Sequence, residues 1–167
     1  MKKKVITVRL DPESIANAIT ELQMYKEEIE RRVQILVETL TDRGADIARA
    51  KVVEMEAVFS GELLDSIGSV LYTSGSNPVG FIRVNAEYGM FVEFGTGIVG
   101  EEGEKHPAHS AFDWEHDVHE HGYSGWWYPG RDGKAHWTKG QESRPFMYET
   151  AQQLIAEFPQ IVQEVFG

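Results

Sequence analysis

Cysteine, positive charge and long apolar runs are all scarce in this sequence of 167 residues. It contains no cysteine, which excludes disulfides, cysteine-ligated zinc sites and thiol catalysis. Lysine and arginine number 16 against 27 aspartates and glutamates, giving a formal net charge of −11. Because binding to phosphates needs clustered basic residues, we expect no specific nucleic-acid binding. No run of residues is apolar for long enough to cross a membrane, so we expect no membrane partner.

What the sequence does contain predicts one α+β domain over residues 1–167. In this fold a long kinked N-terminal helix and a C-terminal helix pack on a small, mainly antiparallel sheet. Residues 3–10 alternate polar and apolar side chains, which predicts a short strand. Asp11 and Pro12 then provide a helix start. The C-terminal helix is predicted to begin at Arg144-Pro145 and to run to residue 165, with a kink or a break at Pro159.

The first helix carries the strongest periodic signal. Apolar residues recur at three- and four-residue steps and form one stripe: Ile15, Ile19, Leu22, Ile29, Val33, Leu36, Leu40 and Ile47. Continued to Val58, the helix would be about 70 Å long, and one small domain cannot cover all of it. We therefore expect a kink or two helices, with Gly44 as the bend, and contacts between subunits. A free-standing coiled coil is the alternative, although Lys26 and Arg43 interrupt the stripe.

Three strands are predicted after the long helix, at residues 66–73, 80–86 and 88–94, and the first two are joined as a hairpin. Residues 95–144 show no sustained period and predict a long irregular loop. Within this loop, residues 126–128 and 135–138 predict a second hairpin.

A glycine pattern after the third predicted strand resembles a dinucleotide-binding motif. Gly95, Gly97 and Gly100 fit the spacing Gly-x-Gly-x-x-Gly. Binding a pyrophosphate requires a helix N-terminus at this place. Three glutamates follow within four residues and would repel phosphate, and the local glycine and proline content argues against a helix. We therefore expect a flexible exit from a strand, and no cofactor.

All six histidines lie between positions 106 and 136, interleaved with acids. Such a set can hold zinc, manganese or nickel and polarise a water for hydrolysis. The candidate ligands are His106, His109, His116, His119, His121, Asp113 and Asp117. Against this, the segment lacks the His-Glu-x-x-His arrangement, and histidines in a polar loop are more often solvated. We expect no metal site, and a metal-dependent hydrolase or nuclease is the alternative function.

Aromatic residues are the better candidates for a functional surface. Base stacking is a poor interpretation because basic companions are missing. Tryptophan and tyrosine contribute strongly to protein interfaces, although a local cluster beneath the loop is as good an interpretation. The candidate interface residues are Tyr88, Phe91, Phe94, Trp114, Trp126, Trp127, Trp137 and Phe146.

Three separated segments together resemble a known family. Residues 59–67 resemble a Gly-x-Leu-x-x-Ser-Ile segment, residues 88–97 a Tyr-x-x-x-Val-Glu-x-Gly-Thr segment, and residues 138–147 a Gly-x-x-x-x-Pro-Phe segment. In this order they are similar to the phage Hong Kong ninety-seven gene-product-ten-like tail-component family, also called neck or tail-completion proteins. The resemblance implies an α+β subunit that assembles in a ring or stack at the tail or neck, without catalytic residues. The insert at 101–136 is larger than the loop expected for the family.

The sequence and the resemblance together predict a structural component of a tailed bacteriophage or prophage virion, not an enzyme. We expect it to act in tail completion or as a head–tail connector, through a homo-oligomeric ring. Its expected partners are other tail or neck proteins, and its expected location is the virion, after assembly in the bacterial host cytoplasm. A third interpretation is a coiled-coil interaction protein with no phage role.

Overall fold

A computed structural model of the chain describes residues 5–57, 61–74, 77–112, 114–116, 124–130 and 132–167. Helices and strands follow one another in an α+β arrangement, as predicted. They are α1 (Pro12–Glu54), α2 (Glu62–Ser66), β1 (Ile67–Ser74), β2 (Asn77–Val84), α3 (Gly89–Phe94), α4 (Gly97–Glu102), a 3-10 turn (His109–Ala111), β3 (Trp126–Pro129), β4 (Ala135–Thr138) and α5 (Phe146–Phe166).

Helix α1 begins where the sequence predicts and then runs without a break. Its first turn is capped by Asp11, whose Oδ1 accepts a hydrogen bond from the Ser14 amide at 2.8 Å. The alternative of two helices is wrong, because Gly44 lies inside a single helix of 43 residues. A Cβ at Gly44 would overlap Ile82 Cδ1, so the glycine allows β2 to approach the helix closely. Close packing against β2 explains why this residue is a glycine.

Strands β1 and β2 form an antiparallel hairpin, as predicted, that lies along α1. In the register Ile67 pairs with Val84 and Val70 pairs with Phe81, and paired side chains share a face. The inner face lies on α1, where Arg49 also donates to the Ile67 carbonyl at 2.6 Å. The outer face, defined by Val70, Tyr72, Val79 and Phe81, points away from α1.

Helix α5 runs antiparallel to α1. Near its end, the Val165 carbonyl accepts from Arg32 Nη1 at 2.9 Å, and midway Glu157 Oε2 lies 2.7 Å from Arg43 Nε. Pro159 lies within a continuous α5, so of the predicted kink or break the break is wrong. The core forms where α1, α5, α2 and the first hairpin meet, and its buried residues are Ala45, Ala48, Val52, Ala57, Leu63, Ile67, Ala86, Val92 and Phe146.

Two predicted strands are wrong. Residues 89–94 form helix α3, in which consecutive residues 92–94 are all buried, a pattern that a half-exposed strand cannot produce. The described part of the N-terminal segment, residues 5–10, is not a strand, because none of the described residues pairs with it in a ladder. Instead the Arg9 amide donates to Ser14 Oγ at 2.8 Å, so the segment turns towards the start of α1.

Candidate functional site

The segment around α3 and the segment entering α5 cross each other and fix the position of everything between them. The Arg144 amide donates to the Val92 carbonyl at 2.8 Å, and Ser143 Oγ donates to the Glu93 carbonyl at 2.6 Å. Thr96 and Gln141 form a two-way backbone bridge, with both N–O distances at 2.9 Å. The chain therefore departs from this crossing after Thr96 and comes back to it before Gln141, and the backbone bridge holds these two ends together.

Glu93 is the buried acid at this crossing. Its Oε2 accepts from the Met147 amide at 2.8 Å, and its Oε1 accepts from the Tyr148 amide at 2.9 Å. Amides in the first turn of a helix have no carbonyl partner within the helix, so the carboxylate caps α5. Its negative charge also interacts favourably with the positive end of the helix dipole. His106 Nε2 lies 3.0 Å from the same Oε1, and His106 Nδ1 accepts from the Ala108 amide. Both residues are thus fully engaged in holding α5 and the loop together.

The glycine motif serves the crossing of two backbones. Gly95 and Gly97 have φ of +81° and +64°, a conformation that glycine adopts without strain. A Cβ at Gly97 would overlap the Lys139 carbonyl, and one at Gly140 would overlap the Thr96 carbonyl. The space that a phosphate would need is filled by the returning chain. A short helix, α4, does follow, which corrects the expectation that the glycine and proline content prevents one.

An aromatic cluster covers α3 on the side of the loop. The Phe94 ring lies 5.3 Å from Trp114 and 5.2 Å from Phe112, measured between centroids, and 4.4 Å from His106. Trp114 Nε1 donates to the Gly95 carbonyl at 2.9 Å, which fixes the indole. Phe94 is buried, whereas Phe91 and Phe112 remain exposed at the rim. The cluster thus has a buried centre and an open edge.

Strands β3 and β4 form the predicted second hairpin, and two of its three tryptophans are open to solvent. Trp127 pairs with Trp137 across the ladder, with ring centroids 5.4 Å apart in an edge-to-face arrangement. Both indoles are exposed. Trp126 and Tyr88 are half-buried, and Phe146 is buried in the core. Of the eight candidate interface residues, Phe91, Trp127 and Trp137 therefore present the most surface to a partner.

Only some of the candidate metal ligands are among the residues that the structure describes. Asp113, Asp117, His119 and His121 lie outside the described residues, and within the described part no group of three or more histidine or acidic side chains is arranged to hold a metal ion. Both nitrogens of His106 are bonded as above. His116 is buried at φ +51°, and burial, followed by the charge of Lys105, lowers its pKa. Its Nδ1 lies 2.9 Å from Glu101 Oε2 but outside hydrogen-bond geometry.

Sequence reasoning missed the central role of Glu93. A glutamate between Val92 and Phe94 stands in an apolar run, and an acidic side chain is rarely buried in such a run unless it is paired. That signal is present in the sequence, but its partners lie more than 50 residues away in the chain at Met147 and Tyr148. Only the tertiary structure brings them together.

Exposed apolar and aromatic surfaces of this kind are typical of proteins that bind other proteins. Within the described residues, no helix is both long and apolar enough to span a membrane. Residues 20–95 match the model of one protein family, described as "Bacteriophage HK97-gp10, putative tail-component". This match confirms the resemblance noted in the sequence, and it covers most of α1, the first hairpin and α3. No curated protein and no solved structure matches the chain.

Proposed function

We propose that this protein is a homo-oligomeric structural component of a tailed phage or prophage virion, acting in tail completion or head–tail joining. The observation that carries the proposal is the match of residues 20–95 to a phage tail-component family. Exposed apolar surface on α1, on the first hairpin and on the second hairpin supports a role in contacts between proteins.

The proposed role is assembly and not catalysis. A catalytic acid or base needs access to a substrate. Glu93 and His106 are instead buried and bonded to each other, and Glu93 also bonds the first turn of α5. The family description names a tail component and supports the same conclusion.

Deletion of the gene from an inducible phage genome tests the function directly. We expect the lysate to contain full heads and tails that fail to join, or heads with absent or aberrant tails, when imaged by electron microscopy. A plasmid copy of the intact gene should restore infectious particles, and mass spectrometry of purified virions should detect the chain. Normal infectious virions from the deletion would contradict the proposal.

The second hairpin is proposed to contact a neighbouring tail or neck protein through Trp127 and Trp137. Exposed aromatic pairs are frequent energetic centres of interfaces. In the deletion background, a Trp127→Ala/Trp137→Ala double variant should fold normally and yet yield few joined particles. The matched control is Ile155→Ala, which removes an exposed apolar side chain on a different element, α5. Equal particle yields from both variants would remove the second hairpin from the proposal.

A further inference from the structure

Among the described residues, two apolar surfaces are only partly covered, although the segment before α1 lies beside one of them, where Ala18 is buried. One is the N-terminal part of α1, residues 12–28, here called the arm, which extends past the end of α5 at Val165. The stripe continues along it, but Ile19 and Leu22 are 52% and 56% exposed. The other is the outer face of the first hairpin, where Tyr72 and Phe81 are 57% and 52% exposed.

The protein itself shows how these two kinds of surface pack together. The packed part of α1 lies on the inner face of the hairpin, where Gly44 accepts Ile82 and Gly80 accepts Thr41. An antiparallel hairpin with one solvated face normally carries polar residues there. Here the outer face is largely apolar as well, so a second helix placed on it would complete a helix–sheet–helix sandwich.

The arm has the length and charge for that position. Its 17 residues span about 26 Å as a helix, and each eight-residue strand of the hairpin spans about 27 Å. The arm contains four glutamates and one lysine: Glu13, Glu21, Glu27, Glu28 and Lys26. Strands β1 and β2 contain a single charged residue, Arg83, which is exposed and pairs with Gly68 on the outer face. Although Glu28 already pairs with Arg31 and Arg32 within α1, the arm keeps a surplus of acids that complements the single positive charge of the hairpin.

We propose that the arm of one subunit lies on the outer face of the first hairpin of the next subunit. This deepens the homo-oligomeric assembly proposed above and rests on it. Because arm and hairpin are different surfaces, the contact can repeat head-to-tail around a ring, with each subunit giving one arm and receiving another, whereas a reciprocal two-fold pair would yield only covalent dimers from a doubly labelled chain. The footprint of the arm, roughly 26 Å by 10 Å, is small beside the ~800 Å² per partner of a standard interface. Closure of a ring therefore stabilises the assembly more than any isolated pair.

The absence of native cysteine makes cross-linking a clean test. Two single variants are made in the full chain, Leu22→Cys on the arm and Val79→Cys on the hairpin, and each is treated with a short bifunctional maleimide. We expect little cross-linking of either variant alone, strong cross-linking of their mixture, and a ladder of covalent oligomers from the double variant. Cross-linking of Leu22→Cys alone would indicate arm against arm, and that of Val79→Cys alone hairpin against hairpin. Either result overturns the proposal, as does a wild-type chain that stays monomeric at about 100 μM, well above micromolar dissociation constants.

Charge variants supply an independent measurement. Leu22→Glu and Val79→Glu should each weaken self-association at least tenfold in sedimentation equilibrium, while the far-ultraviolet spectrum and melting temperature stay close to wild type. The matched control Ile155→Glu places the same charge at an exposed apolar site on α5 and should leave association unchanged. An equal loss in the control would contradict the assignment of the surface.

Complementation of the deletion separates this inference from the proposed function. If the wild-type gene restores joined particles and Leu22→Glu does not, both stand. If Leu22→Glu restores them fully, the arm contact is wrong while the role in the virion stands. If the deletion itself has no phenotype, the role in the virion is wrong whatever the cross-linking shows.

Discussion

The two halves of α1 have the same periodicity and opposite surroundings. In residues 33–54 the stripe packs against α5 and the first hairpin, and Ile47 is only 3% exposed. In residues 12–28 the stripe continues in register, yet Ile19 is 52% exposed. An apolar stripe therefore shows that a helix face will be covered, but it does not say whether the cover comes from the same chain. The exposed side chains of this half add little to the stability of the subunit, and we propose that they contact a neighbouring subunit.

The largest expected difference between the halves is in backbone opening. In dilute, monomeric protein, the amides of residues 16–28 should exchange with solvent at least about a thousandfold faster than those of residues 41–52 after correction for intrinsic rates. The reason is that an isolated helical segment opens by fraying, whereas packed turns open only with most of the fold. Hydrogen exchange read by mass spectrometry or NMR measures this. Equal protection along α1 would show that the two halves do not differ.

A matched pair of substitutions sharpens the comparison. Ile47→Ala should lower the free energy of unfolding by roughly 2–5 kcal/mol, because it leaves a cavity in the core. Ile19→Ala should change it by about 0.5 kcal/mol or less, since the side chain is already half in water. Urea unfolding of the monomer, followed by circular dichroism, gives both values. A loss above ~1.5 kcal/mol for Ile19→Ala would mean that the arm is covered within the subunit.

Substitution of Gly44 by alanine separates the effect of helix propensity on stability from the effect of packing. Alanine should favour the helix by about 1 kcal/mol over glycine. In the packed half, however, its Cβ would overlap Ile82 and approach Leu154 Cδ2 to 3.3 Å. We therefore expect Gly44→Ala to be destabilising by about 1–2 kcal/mol net, since overpacking typically costs ~1–3 kcal/mol.

Two controls accompany that measurement. Gly44→Ala combined with Ile82→Val should recover part of the loss, because the overlapping methyl group is removed. Asn17→Ala, on the exposed arm, should gain a few tenths of a kcal/mol from helix propensity with nothing to oppose it. If Gly44→Ala is more stable than wild type, the hairpin does not approach α1 as closely as described.

The smallest expected effect on the stability of the fold comes from the ion pair between Arg43, in the packed half of α1, and Glu157 of α5. Hydrogen bonds from Arg43 and then Gln153 lower the pKa of Glu157 to about 2 from 4.5. Because the folded pKa is the lower one, the pair stabilises the fold above pH 4.5, and this contribution is lost as the pH falls through about 2. An NMR titration of the Glu157 carboxyl should show the low midpoint, and Arg43→Met should return it towards 4.5. An unchanged midpoint in that variant would contradict the assigned cause.

Much of the fold was predictable where the signal is local. The start of α1 at Asp11-Pro12, the pairing of β1 with β2 and the tryptophan hairpin follow from caps, alternation and turn residues. The wrong strand at residues 88–94 has an identifiable cause. Residues 88–94 are apolar enough to be a buried strand or a buried helix, and periodicity alone does not distinguish the two in so short a run. In the helical form, Glu93 reaches the amides at the start of α5, which lie more than 50 residues away in the chain.

The sequence by itself determined the α+β composition, the continuous stripe of α1 and the family resemblance that residues 20–95 confirm. These depend on patterns within a few turns or on motif order. The tertiary structure decided which half of the stripe is buried, why Gly44 is a glycine and what Glu93 binds. Such contacts join residues far apart in the chain, and their energies depend on distances and desolvation that no local pattern encodes.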